Sequence, residues 1–109
     1  MGGDSFSSED FSGRTALITG AARGLGREIG QMFHDRGARI ILVDIDNRVE
    51  QTAADIDPES KTAIGKIADL TDDKSVALLR EAVIQEIGDI DTLINNAGAY
   101  APHAIRDIS

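Results

Sequence analysis

Between Thr19 and Gly26 the chain reads Thr-Gly-Ala-Ala-Arg-Gly-Leu-Gly, three glycines in eight residues directly after an apolar run. Glycines so placed at the opening of a helix let backbone amides close on an anion. Gly20 can turn sharply, Gly24 keeps a side chain out of the way, and Gly26 lets the helix lie close to a sheet. The chemistry implied is the grip of a diphosphate, with Ala22, Arg23 and Leu25 completing the turn. A second candidate is Asp44, 18 residues beyond Gly26 at the end of another apolar run. A carboxylate there can accept hydrogen bonds from the hydroxyls of an adenosine ribose.

A phosphate-gripping P-loop is disfavoured, because no Gly-Lys-Ser/Thr ending follows the turn. Metal chemistry is not expected. There is no cysteine, and His34 and His103 stand without partners at ligand spacing.

These residues need a framework, and the pattern supplies one. Thr15 to Thr19 and Arg39 to Asp44 are short apolar runs of the kind buried on both faces of a sheet. Thr62 to Ala68 is a weaker strand, interrupted by Gly65 and Lys66, and Thr92 to Asn95 is a fourth. Between them, helical spacing marks Leu25, Ile29, Met32 and Phe33, then Val49, Ala53 and Ile56 up to the break at Asp57-Pro58. Val76, Leu79, Val83 and Ile87 follow, with Thr71-Asp72-Asp73 at the start as cap and first-turn acids. The alternation predicts an α/β fold, a partial Rossmann-like, doubly wound parallel sheet. Right-handed crossovers give the strand order 3-2-1-4, with a ligand crevice where the order reverses between strands one and four.

Two stretches resemble the short-chain dehydrogenase/reductase family: the Thr-Gly-x-x-x-Gly-x-Gly turn at Thr19 to Gly26, and Asn95-Asn96-Ala97-Gly98 after the fourth strand. Asp69-Leu70 after strand three extends the likeness from about Phe11 to Gly98. The resemblance implies that the glycine turn holds a pyrophosphate, Asp44 the ribose, and Asp69 with Leu70 the adenine. Asn95, Asn96, Ala97 and Gly98 would line the nicotinamide side. For the two asparagines a structural role, tying the strand to neighbouring backbone, is equally open. The implied activity is hydride exchange between a nicotinamide cofactor and a small-molecule alcohol or carbonyl; the alternative is a non-catalytic dinucleotide-binding or regulatory module.

NAD is expected over NADP. Asp44 at about 4 Å from a 2′-phosphate would cost up to about 4 kcal/mol per charge at an effective dielectric near 20, more than the single flexible Arg23 returns. The family's Tyr-x-x-x-Lys pair is not found after Asn-Asn-Ala-Gly: Tyr100 has no lysine four residues later, and the sequence reaches Ser109. No catalytic residue is therefore assigned, and the expectation is a cofactor-binding half, inactive alone. Its fourth strand would be an exposed edge, the third helix would keep part of its stripe uncovered, and self-association or a homo-oligomer follows.

Composition agrees. The 109 residues carry a formal net charge of -8, which opposes nucleic acid and anionic membranes as partners. Residues 1-12 read as a flexible tail without a secretion signal and 13-109 as one dinucleotide-binding unit, with no membrane-spanning stretch and a cytoplasmic location as the default.

Overall fold

Alternation along the strands decides how the layers form. In a computed structural model, which describes residues 10-96, β1 (Thr15–Thr19) is buried at every position and β2 (Arg39–Asp44) at its four central ones. Successive side chains point to opposite faces of a strand. Accordingly Ala16, Ile18, Ile40 and Leu42 enter one apolar cluster, while Leu17, Ile41 and Val43 enter another. Two buried faces require two helical layers.

Three helices supply them. The first cluster takes in Ile29 and Phe33 of α1 (Gly24–Asp35) and Val49, Ala53 and Ile56 of α2 (Arg48–Ile56). The second is closed by Val76, Leu79 and Val83 of α3 (Asp73–Glu86). Strands β3 (Ala63–Ile67) and β4 (Thr92–Ile94) complete the sheet. All pairings are parallel, in the order β3-β2-β1-β4, as the sequence predicts.

The local signals explain where elements begin and end. Asp72 caps α3 by accepting from the Ser75 amide at 3.2 Å, and α2 ends at Ile56, with Asp57 at its C-cap just before Pro58. In β3 both interrupting residues have a use. A β-carbon on Gly65 would lie 2.6 Å from the Val49 carbonyl oxygen of α2, so only glycine permits that approach. Lys66 reaches the opposite layer, its Nζ 2.8 Å from Glu86 of α3.

Three expectations need correction. Leu25 and Met32 are 66% and 40% exposed and do not belong to the buried stripe of α1. The sheet-facing positions are Gly26, Ile29, Gly30 and Phe33, because two glycines bring the helix so near the sheet that this narrower face suffices. Second, the third stripe is largely covered, with Val76, Leu79 and Val83 buried and only Ile87 half-buried; the exposed apolar residues of α3 are Leu78 and Ile84, off that stripe. Third, Phe11, assigned to the tail, is packed. Its ring stacks on Phe33 at 4.9 Å and its amide donates to the Arg36 carbonyl at 2.8 Å. An aromatic flanked by the guanidinium groups of Arg14 and Arg36 at 5.8 and 5.9 Å has reason to stay there.

Candidate nucleotide site

The reversal between β1 and β4 places the glycine turn, the end of β2 and the end of β4 at one edge of the sheet. Gly20 and Gly24 both have φ of +64°, the left-handed region in which a side chain is strained. Around Gly24 a β-carbon would meet nothing within 4 Å, so the backbone there lies open. Gly26 is required for the opposite reason: a β-carbon would run into the Gly20 carbonyl and come within 2.8 Å of the Asn96 amide nitrogen.

Arg23 occupies the cap position of α1 in extended backbone and makes no side-chain capping bond. An arginine has no acceptor to offer, so the first-turn amides are left without the oxygen that Asp, Asn, Ser or Thr would supply there. With the positive end of the helix dipole, those amides can receive an anion on a chain whose net charge is -8.

The turn itself is braced on three sides. The Ala22 amide donates to Asp44 Oδ2 at 2.9 Å, and the Thr52 hydroxyl of α2 donates to the Ala22 carbonyl at 2.6 Å. Ala21 N donates to the Val43 carbonyl at 3.2 Å. Just past β4, Asn96 Nδ2 donates to the Gly20 carbonyl at 3.2 Å. Thr19 Oγ1, at the end of β1, donates to Asn95 Oδ1 at 3.2 Å. The asparagines thus perform the tying role between strand and turn.

Asp44 is half-buried and accepts two protein bonds, from Ala22 N on Oδ2 and from Asp46 N at 3.0 Å on Oδ1. A carboxylate offers about four lone-pair sites, so one on each oxygen is left, a match for a vicinal diol. Beside it, Asp46 is bound by Arg48: Nε lies 3.1 and 3.0 Å from its two oxygens, Nη2 2.6 Å from Oδ2, and the Arg48 amide 2.9 Å from Oδ1. These bonds hold the Asp46 carboxyl down at about 2, helped by the more distant charge of Arg23, and raise the Arg48 guanidinium.

Asp69 follows β3. The Thr71 hydroxyl, at 2.6 Å, and the Thr71 amide, at 2.9 Å, both donate to its Oδ1 and lower its pKa. Its own amide donates to Ser75 Oγ at 2.8 Å. Leu70 is 9% exposed and packs in the core beneath α3, so its side chain is turned into the protein. Ala22 is likewise buried with both backbone groups paired, which makes it a brace of the turn. Leu25 and Arg23 are exposed at the open end of the turn. Ala97 and Gly98 lie outside the described residues.

Thr52 was not singled out from the sequence, although its spacing from Val49 and Ile56 places it on the buried face of α2; a hydroxyl there was the signal. Among the described residues no group of three His, Cys, Asp or Glu could hold a metal, and no helix is long and apolar enough to cross a membrane.

Comparison with known proteins agrees with this geometry. The family model for short chain dehydrogenase matches residues 14–109. The chain is 37% identical over 99 residues to oxidoreductase UcpA of Escherichia coli K12, covering 91% of this chain and 38% of the relative. It is 40% identical over 100 residues to galactitol 2-dehydrogenase of Agrobacterium fabrum, with coverage of 91% and 38%. Among solved structures, the Pseudomonas aeruginosa RhlG/NADP active-site complex superposes with a TM-score of 0.76 at 30% identity, over 84% of this chain and 37% of that one. The NADH complex of 3-ketoacyl-(acyl-carrier-protein) reductase from Brucella melitensis gives 0.72 at 32%, over 77% and 34%. The chain therefore spans less than two-fifths of these relatives. A family model that matches residues 14–109, with relatives 37% and 40% identical over 91% of the chain, means that the chain belongs to the short chain dehydrogenase family.

Proposed function

We propose that this chain forms the adenosine-diphosphate-binding part of a nicotinamide-dependent oxidoreductase that exchanges a hydride between its cofactor and an alcohol or carbonyl compound. The carrying observation is Asp44: half-buried at the end of β2, fixed by two backbone amides, with acceptor capacity left beside a helix start that lacks its side-chain cap. The first-turn amides of α1 would hold the diphosphate, Asp44 the ribose diol, and Asp69 with the Leu70 backbone the adenine. Asn95 and Asn96 would keep the turn and the fourth strand in register at the nicotinamide end. The bound nicotinamide supplies the hydride chemistry. The residues here bind, orient and set the charge of the pocket, and no proton-transferring residue is assigned among them.

NAD is the preferred cofactor on this reading, because Asp44 would face a 2′-phosphate at close range. Calorimetric titration tests it. The protein should bind ADP-ribose and NADH, and Asp44→Ala should weaken ADP-ribose at least tenfold, since two hydroxyl bonds to a charged acceptor are lost. An unchanged affinity in that variant, with the fold intact by circular dichroism, would remove Asp44 from the site.

A further inference from the structure

Four charged groups lie at the ribose end of the site, Arg23, Asp44, Asp46 and Arg48, and only Asp44 has a role in the reading above. Asp46 donates its amide to Asp44 Oδ1 at 3.0 Å, so the loop carrying Asp46 and Arg48 is tethered to the carboxylate assigned to the ribose. The Thr52 hydroxyl, lying over both the Ala22 carbonyl at 2.6 Å and the Arg48 carbonyl at 3.1 Å, fixes the first turn of α2 to the glycine turn. Arg48 is near enough to Asp44 to feel its charge, and Asp46 near enough to feel Arg23. The Arg48 guanidinium, 63% exposed, is nevertheless turned back along its own loop, with Nε and Nη2 both on the Asp46 carboxylate.

We propose that Asp46 is a positioning residue for cofactor choice: by clasping Arg48 it withholds the cation that would otherwise reach a phosphate on the ribose 2′-hydroxyl. This deepens the dinucleotide reading and rests on it. Asp44 repels such a phosphate directly; Asp46 holds back one cation that would compensate. The side-chain bonds of the clasp all fall on one carboxylate, so a single substitution undoes it.

Asp46→Asn makes the test clean, since the amide oxygen can still accept from the Arg48 backbone N–H and keep the start of α2 while the charge is gone. Titrations compare ADP-ribose with 2′-phospho-ADP-ribose. In Asp46→Asn the affinity ratio should move about five- to tenfold toward the phosphorylated ligand, the scale of one partly exposed charge-assisted hydrogen bond. Adding Arg48→Gln should return the ratio to that of the parent protein. A ratio that does not move in Asp46→Asn overturns the inference, and so does a gain that survives Arg48→Gln, which would assign the effect to the charge of Asp46 alone. If the unaltered protein binds neither ligand, the dinucleotide reading fails first and takes this inference with it.

Discussion

Each glycine of the turn is required for a different reason, and substitution separates them. Gly24 needs its left-handed backbone and the open space around it, whereas Gly26 needs the absence of a β-carbon against the Gly20 carbonyl. Gly26→Ala should therefore destabilise the protein by about 1–3 kcal/mol, because backbone must move to relieve the contact. ADP-ribose binding should be lost in the same variant, as the displaced backbone forms the turn; denaturant unfolding and calorimetry read the two effects. The glycine positions and Asp44 were legible in the sequence because a fixed spacing reports a fixed backbone path. What could not be read was which polar atoms are already paired within the protein. Ala22 and Leu70 illustrate this, since motif position says nothing of whether a residue braces the site or faces it.

At the scale of elements, the sheet order and the four strands followed from apolar runs separated by helical periods. Helix faces were less legible. A stripe drawn through Leu25 and Met32 assumed that α1 rests on bulky side chains, but Gly26 and Gly30 bring it too near the sheet for that. Similarly, Gly65 and Lys66 weakened the pattern of β3 while serving the two layers packed on it, one by absence and one by reach. The contact between α2 and the turn rests on the Thr52 hydroxyl, which is buried at 3% exposure. Thr52→Val keeps the shape and deletes that donor. The expected cost is about 1–2 kcal/mol, with the Ala22 carbonyl left unsatisfied, and a severalfold weaker ADP-ribose titration should accompany it.

For the molecule as a whole, acidic groups govern the response to pH. Asp57 accepts from the Thr62 amide at 2.7 Å and hydroxyl at 2.8 Å, and from the amides of Glu59 and Lys61, and is held well below the ordinary carboxylate range. Asp46, at about 2, and Asp69 are also lowered. A carboxyl with a lower pKa in the folded than in the unfolded state binds its proton more readily once unfolded. Its stabilising effect is complete above the unfolded value near 4 and is lost as pH falls toward the folded one. Thermal midpoints should accordingly carry the full contribution of these groups, unchanged with pH, between about pH 5 and 7 and should fall steeply between about pH 4 and 2. In Asp57→Asn the acid limb should be shallower and the neutral midpoint lower; an acid limb identical to that of the parent would contradict the assignment.

The parallel register also orders events in time. β1 meets β2 through Thr15 and Arg39, a short excursion of chain, but meets β4 only through pairs such as Ala16 with Thr92. Closing the longer excursion costs more chain entropy before any contact rewards it, so the β1–β2 pair with α1 is the natural nucleus and β4 docks late. On loop length alone, the crevice between β1 and β4 is expected to be the last part of the described sheet to assemble, and a ligand lying across it would act on the latest step of folding.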